Sequence, residues 1–288
     1  SMKTPYLTFM LPAFLVGCAA LPSLDGRTES QYIEVDSAPR LEAILKPSQQ
    51  GEIDDDPATS GIYLLNDAHE AFVARAALIE AADVSLDLQY YIWHNDISGR
   101  LLFNLLHRAA ERGVRVRLLL DDNNTNGLDN VLLALDSHPN IEIRLFNPFV
   151  SRKWRALGYL TDFPRLNRRM HNKSLTADNR ATILGGRNIG DEYFQVGEDT
   201  VFADLDILAT GPVVTEVSKD FDRYWASNSS YNATSIIKKG SIEKGYKELE
   251  YDRSDSNEVL AKYRKEVENS GLFKSMQENN IEWFNVHT

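Results

Sequence analysis

The chain of 288 residues holds a single cysteine, Cys18, so no disulfide can form within it. It also lacks any excess of positive charge. Its formal charge is −11, which argues against broad electrostatic capture of nucleic acid and leaves any anionic partner to a local basic patch. The apolar run near the N-terminus, Tyr6 to Val16, is too short to span a bilayer comfortably. Metal-ligand spacing is missing too. Asp121-Asp122 has neither histidine nor further acids at suitable intervals, so no metal and no cofactor is expected. There is no internal repeat, and of six histidines only His171 is followed two places later by lysine.

What is present begins with Lys3, the Tyr6–Val16 run and Leu15-Val16-Gly17-Cys18. This reads as an export signal ending in a segment that resembles the bacterial lipobox, whose cysteine is lipidated. Residues 1–18 are therefore expected to be a lipoprotein signal peptide. Cys18 would hold the chain in the bacterial cell envelope on the periplasmic face, with inner and outer membrane both open. Residues 19–60 are polar and acidic, and end in Glu52-Ile53-Asp54-Asp55-Asp56-Pro57. They read as a flexible tether.

Regular structure is expected from about Gly61. Asp67 and Glu70 have capping-box spacing ahead of Phe72, Ala76 and Ile79 at helical intervals. Val84 to Ile92 alternates and is rich in β-formers. A second helical face, Leu101 to Ala109, closes at Gly113, and Val114 to Leu120 follows as a strand. Leu128 to Leu135 predicts a helix. Ile141 to Leu145, Lys173 to Ala177, Ala181 to Leu184 and Ala203 to Ala209 predict strands. Helices alternating with strands imply an α/β domain over 61–225 with a mostly parallel or mixed sheet. Ser227 to Thr234 reads as a loop, and Val259, Leu260, Tyr263 and Val267 mark a helix. Ile281 to Val286 looks like a strand just beginning, which suggests the front portion of a longer protein, with 226–288 a charged connector towards a missing second lobe.

The densest chemistry lies in MHNKSLTADNRATILGGRN, residues 170–188. On an extended strand His171 and Lys173 point the same way, setting an imidazole beside an ammonium. Neutral imidazole is a nucleophile near pH 7, and lysine offers a compact charge to a phosphate oxygen. Gly185 and Gly186 clear space for a sharp turn or a ligand. Asn188 can donate an amide hydrogen bond, and Asp178, in the hairpin turn, can accept from backbone N–H groups. Six fixed residues at about 5% usage each coincide about 10⁻⁸ of the time per starting point.

The pattern His-x-Lys-(x)4-Asp-(x)6-Gly-Gly-x-Asn resembles that of the phospholipase D superfamily, and every position is filled. Leu88-Gln89-Tyr90-Tyr91-Ile92, Arg112 to Arg117 and Arg168 to Lys173 look like bacterial cardiolipin synthases, the C type in particular. The resemblance implies a two-step phosphatidyl transfer without metal, in which His171 becomes a phosphohistidine while Lys173 and Asn188 stabilise the phosphoryl oxygens. It implies that Asp204, in Asp204-Leu205-Asp206, holds the second nitrogen of the His171 ring. The expected substrates are anionic phospholipids such as phosphatidylglycerol, with Gly185, Gly186, Arg169 and Tyr91 lining the substrate site. The family's synthases carry two motifs and this chain has one, so a second lobe is expected, from further sequence or from another copy. Two rivals share the fold: a single-motif homodimeric nuclease, and a lipid-binding lobe without catalysis. The acidic charge and the anchor argue against nucleic acid as a partner.

One local reversal of charge stands out. Arg152, Lys153, Arg155, Arg165, Arg168 and Arg169 face one acid, Asp162, between Ser151 and Arg169, interleaved with Trp154, Tyr159 and Phe163. The segment either lies on anionic lipid or packs beside the site.

Overall fold

The computed structural model describes residues 20–47, 56, 58–152, 154–197, 204–251, 262, 265–266, 268–278 and 280–287. Cys18 and the whole signal segment lie outside them, as do most residues of the helix expected around Val259 to Val267. The α/β expectation holds, as a nine-stranded sheet in the order β8-β4-β3-β2-β5-β6-β7-β1-β9. In chain order the strands are β1 (Thr59–Leu65), β2 (Ser85–Tyr90), β3 (Arg115–Asp121), β4 (Ile141–Phe146), β5 (Ser174–Ala177), β6 (Ala181–Gly185), β7 (Asp206–Thr210), β8 (Ser230–Asn232) and β9 (Phe284–His287).

Only β2–β3 and β3–β4 pair in parallel. All other neighbours are antiparallel, so the sheet is mixed rather than mostly parallel. The parallel block is where helices α3 (Ile97–Glu111) and α4 (Asp129–Asp136) connect successive strands. A parallel pair needs such a crossover, while the 174–185 hairpin does not.

Helix α2 (Ala68–Ala81) begins where its cap predicts, with Asp67 Oδ1 accepting from Glu70 N at 2.9 Å. The reciprocal half of the capping box is absent. Glu70 Oε1 instead accepts from Leu272 N, tying the helix Gly271–Gln277 onto α2. Alternation along β3 shows both faces of the sheet. Leu118 and Leu120 join the main core under α2 and α3, whereas Leu119 meets Phe221 and Trp225 on the opposite face. Those two aromatics come from α8 (Val213–Trp225).

Residues 20–47 are not a free tether. Their first part runs across the opposite face and supplies carbonyls to buried arginines, Arg117 Nη1 donating to Ser30 O at 2.9 Å and Arg144 Nη2 to Thr28 O at 2.6 Å, while helix α1 (Pro39–Ile44) packs on α2 and the main core. Ala38 and Leu41 are fully buried. Their polar composition fits this role, because a buried guanidinium has five donors and needs oxygens around it. The 226–288 stretch likewise folds back. Ser230–Asn232 pairs with β4, α10 (Ile242–Tyr251) packs on α4, and β9 extends the sheet beside β1.

Asp178 lies at the end of β5 remote from His171, about 23 Å away along an extended chain. With Asn179 it adopts left-handed angles (φ 53° and 51°) in the β5–β6 turn. Its buried carboxylate accepts from Asp83 N, Val84 N and Ser85 N at 2.7–2.8 Å. This staples the turn to the start of β2 and leaves no role at the reacting atoms. Asp178→Ala is expected to cost about 3 kcal/mol, since it strands buried N–H groups that bonded a charged acceptor. Urea unfolding checks this, and an unchanged midpoint contradicts it.

Candidate functional site

Register brings the remaining motif residues to one edge of the sheet. β5 runs antiparallel to β2, with Ser174 opposite Gln89, so His171 and Lys173 sit beside the carboxyl end of β2. β6 returns to the same edge with Leu184 opposite Ser174, placing Gly185 to Asn188 there. β7 starts at that edge with Asp206 opposite Gly185. This edge is also the carboxyl end of the parallel block, the usual place for sites in such sheets.

His171 is exposed, and Tyr91 closes one side of it, with ring centroids 4.8 Å apart and planes tilted by 47°. The buried Lys173 lies under the ring. Its Nζ is 3.2 Å from His171 Nδ1 and donates to His171 O at 2.7 Å. Burial, and then the neighbouring ammonium, hold the imidazole below its ordinary pKa. Burial also lowers Lys173, against the pull of Asp204 and Asp206. The His171 shift favours a neutral histidine at pH 7.

Asp204 stands elsewhere than expected. No hydrogen bond joins it to His171, and its charge bears on Lys173 instead. An ammonium has only donors, so Nδ1 is already taken as an acceptor. The glycines also serve a different purpose. A Cβ on Gly185 would lie 2.2 Å from Asp206 Oδ1 and 2.5 Å from Leu205 O, and one on Gly186 would lie 2.7 Å from Asp204 Oδ1. Their missing side chains let the Asp204–Asp206 segment close on β6, so they build the floor of the site rather than a ligand cradle.

Asn188 is buried and holds the loop. Its Oδ1 accepts from Ile92 N at 3.0 Å and its Nδ2 donates to Tyr193 Oη at 3.2 Å. The amide nitrogen keeps a second N–H beyond that bond. Arg169 faces inward rather than towards a substrate. It bonds Asp121 through Nε at 3.1 Å and Asn147 O through Nη2 at 2.7 Å, fastening the ends of β3 and β4. Burial pushes the Asp121 carboxyl up to about 6, although Arg169 and two backbone N–H groups draw it down. Two more arginines of the basic segment are paired with acids. Arg152 pairs with Asp122 and Asp129, and Arg165 with Asp162.

A charged layer beneath the site went unread in the sequence. Asp206, fully buried, bonds Arg75 Nη2 at 2.8 Å and Arg187 N at 3.1 Å, and Arg75 Nε reaches Tyr90 Oη at 3.1 Å. Arg75 lies within an apolar helical stretch, where a lone arginine implies a buried partner. Asp96 and Asp191 cap each other's elements: Asp191 N donates to Asp96 Oδ2, and Ser98 N to Asp191 Oδ1, both at 2.7 Å. Among the described residues, His94, Asp96 and Glu192 bring three potential metal ligands within 4.8 Å. Asp96 is already engaged as the cap of α3, with Gly99 N at 2.9 Å, and His94 lies 3.1 Å from Glu192.

Residues 76–225, just over half of the chain, match the family model described as cardiolipin synthase, PLD-like domain. Cardiolipin synthase C of Escherichia coli is 61% identical over 173 residues, which cover 60% of this chain and 37% of that protein. Cardiolipin synthase A of Pseudomonas entomophila is 31% identical over 173 residues, covering 59% and 34%. Among solved structures, phosphatidylserine synthase of Haemophilus influenzae overlaps 81% of this chain and 48% of its own, at 15% identity and a TM-score of 0.49. The chain spans little more than a third of the length of the curated relatives it matches. With half of its residues under the family model and the motif assembled at one sheet edge, the chain belongs to the cardiolipin synthase family of PLD-like proteins.

Proposed function

We propose that this lobe supplies the nucleophile for phosphatidyl transfer between phospholipids, making cardiolipin from two molecules of phosphatidylglycerol. The observation that carries the reading is His171, exposed beside Tyr91 and kept neutral over the buried Lys173. A ring nitrogen of His171 forms a bond to phosphorus, and the bond from phosphorus to the headgroup glycerol oxygen breaks. A second histidine, from another lobe of a longer chain or of another copy, protonates that oxygen. It then takes the proton from the hydroxyl of a second phosphatidylglycerol, which attacks phosphorus and releases His171.

Lys173 has two states in this scheme. At rest its ammonium donates to Nδ1, so the proton of the neutral ring lies on Nε2. An incoming phosphodiester draws Nζ towards its oxygens. That frees Nδ1 to carry the ring proton and leaves the Nε2 lone pair for attack. Asn188 adds its second amide N–H to the same oxygens. The negative charge of Asp204, which acts on Lys173, limits how far the lysine shifts. None of the described helices is long and apolar enough to cross a membrane. Access to lipid is proposed to come through lipidation of Cys18 at the periplasmic face.

In the enzyme assembled with its second lobe, His171→Ala is expected to lower transfer by about 10³-fold or more, because the covalent step is lost. Thin-layer analysis of labelled phosphatidylglycerol measures this, and normal turnover sinks the assignment. The nucleophile must be neutral, so kcat/KM rises with pH to a plateau whose acid limb falls below about 6.5, the ordinary histidine value. Lys173→Met removes the ammonium that lowers His171, so the residual activity should show that limb moved to higher pH. A limb that stays in place contradicts the pairing.

A further inference from the structure

We infer that the helix pair α5 (Arg155–Thr161) and α6 (Phe163–Leu166), with the cationic cleft beside it, is the surface through which this lobe sits on an anionic phospholipid bilayer. The inference rests on the proposed phospholipid substrate and names the surface that meets it. Of nine large hydrophobic residues exposed among the described ones, four fall within residues 150–163: Val150 at 42%, Trp154 at 59%, Leu160 at 82% and Phe163 at 55%. Apolar exposure this concentrated marks an interaction surface in a folded protein.

The pair is held firmly enough to present those residues. Phe149 and Leu166 are buried beneath it, and Tyr159 meets Phe149 edge-on at 5.5 Å. A Cβ on Gly158 would lie 2.9 Å from Leu166, so the helix packs close to its support. Arg152 and Arg155 are turned inward onto Asp122 and Asp129, and Arg165 pairs with Asp162, while Arg168 is exposed. The three paired arginines fasten the prong, which turns aliphatic and aromatic side chains outward.

Positive charge faces solvent just beside it. A cleft of about 510 Å³ is lined by Val150, Arg152, Arg155, Lys238 and Lys239, with Asp129 as its acid. Lys238 and Lys239 are exposed, and neither pairs with an acid among the described residues. Apolar side chains flanked by free cations suit one occupant, a bilayer whose acyl region takes the prong while its phosphates meet the lysines. The surface is continuous with the site. Tyr159 Oη donates to Asn123 Oδ1 at 2.9 Å, Asn124 Nδ2 donates to Tyr91 O at 3.2 Å, and the Tyr91 ring faces His171. Insertion of Leu160 and Phe163 would bring the mouth of the site to the headgroup layer.

The test uses the 288-residue chain carrying Cys18→Ser, so that no lipid anchor forms. Trp93, Trp225 and Trp283 are buried, which leaves Trp154 as the reporter of a surface event. With vesicles of phosphatidylglycerol, Trp154 emission should shift to the blue and be quenched by brominated acyl chains. Leu160→Asp combined with Phe163→Asp should weaken that binding by about tenfold or more. Lys238→Glu with Lys239→Glu should weaken it on phosphatidylglycerol and not on phosphatidylcholine. Melting curves confirm that these surface variants fold. Absence of a shift on vesicles that still sediment the chain overturns the inference. So does a shift without lipid that tracks a dimer by light scattering, because a second copy would then cover the prong. Transfer from detergent-dispersed phosphatidylglycerol, assayed on the two-lobed enzyme with the same substitutions, separates the two readings. Retained transfer with failed insertion removes only the docking surface, and insertion with no transfer in the unsubstituted enzyme removes only the proposed function.

Discussion

Asp206 carries a negative charge with no access to water, and the geometry of the catalytic edge depends on what surrounds it. Arg75 reaches it from α2 and Arg187 from the loop after β6, so three separate segments meet on one carboxylate. A buried charge stripped of a partner is strongly destabilising, which fixes the three segments relative to one another. Gly185 and Gly186 are the steric condition for this contact, because any side chain there would strike the Asp204–Asp206 backbone or carboxylates. With β7 drawn tight to β6, and β6 paired to β5, Lys173 has one place to go. It lies under the His171 ring, within reach of the charges of Asp204 and Asp206.

The same architecture separates support from chemistry. Asp178, Arg169, Gly185 and Gly186 belong to the motif or its flank, yet each holds backbone rather than substrate. Under the proposed function, His171, Lys173, Tyr91 and one N–H of Asn188 are left to face a phosphodiester. A small reactive group on a heavily fastened base is what preorganisation requires, since reorganising polar groups during reaction adds to the barrier. Under the proposed function, the proton donor is a second histidine from another lobe.

Features set by local spacing were legible in the sequence. The Asp67 cap, the helix closing at Gly113 and the two strands around the 178–180 turn follow from nearest-neighbour rules, as does the nearness of residues 171 and 173, which lie just ahead of β5 rather than on it. Features set by distant partners were not. The acidic 20–47 stretch read as a tether because nothing local shows that Arg117 and Arg144 need its carbonyls. Whether the basic 151–169 segment lies on lipid or packs beside the site stayed open in the sequence, because its partners, Asp121, Asp122 and Asp129, lie about 20 to 50 residues earlier in the chain. Asp204 was placed on His171 by likeness, and in the fold no hydrogen bond joins the two, while its charge acts on Lys173. Arg75 was the one strong long-range signal available, a charge amid an apolar helical face.

The most direct test of a nucleophile poised on half a site uses a phosphatidyl ester of p-nitrophenol. Its leaving group departs without a proton, so the missing second histidine is not needed for the first step. Mixed with this chain, it should release about one equivalent of nitrophenolate per chain in a burst, with the phosphatidyl group on His171 by mass spectrometry and slow turnover thereafter. No burst, or a burst that persists in His171→Ala, would contradict it.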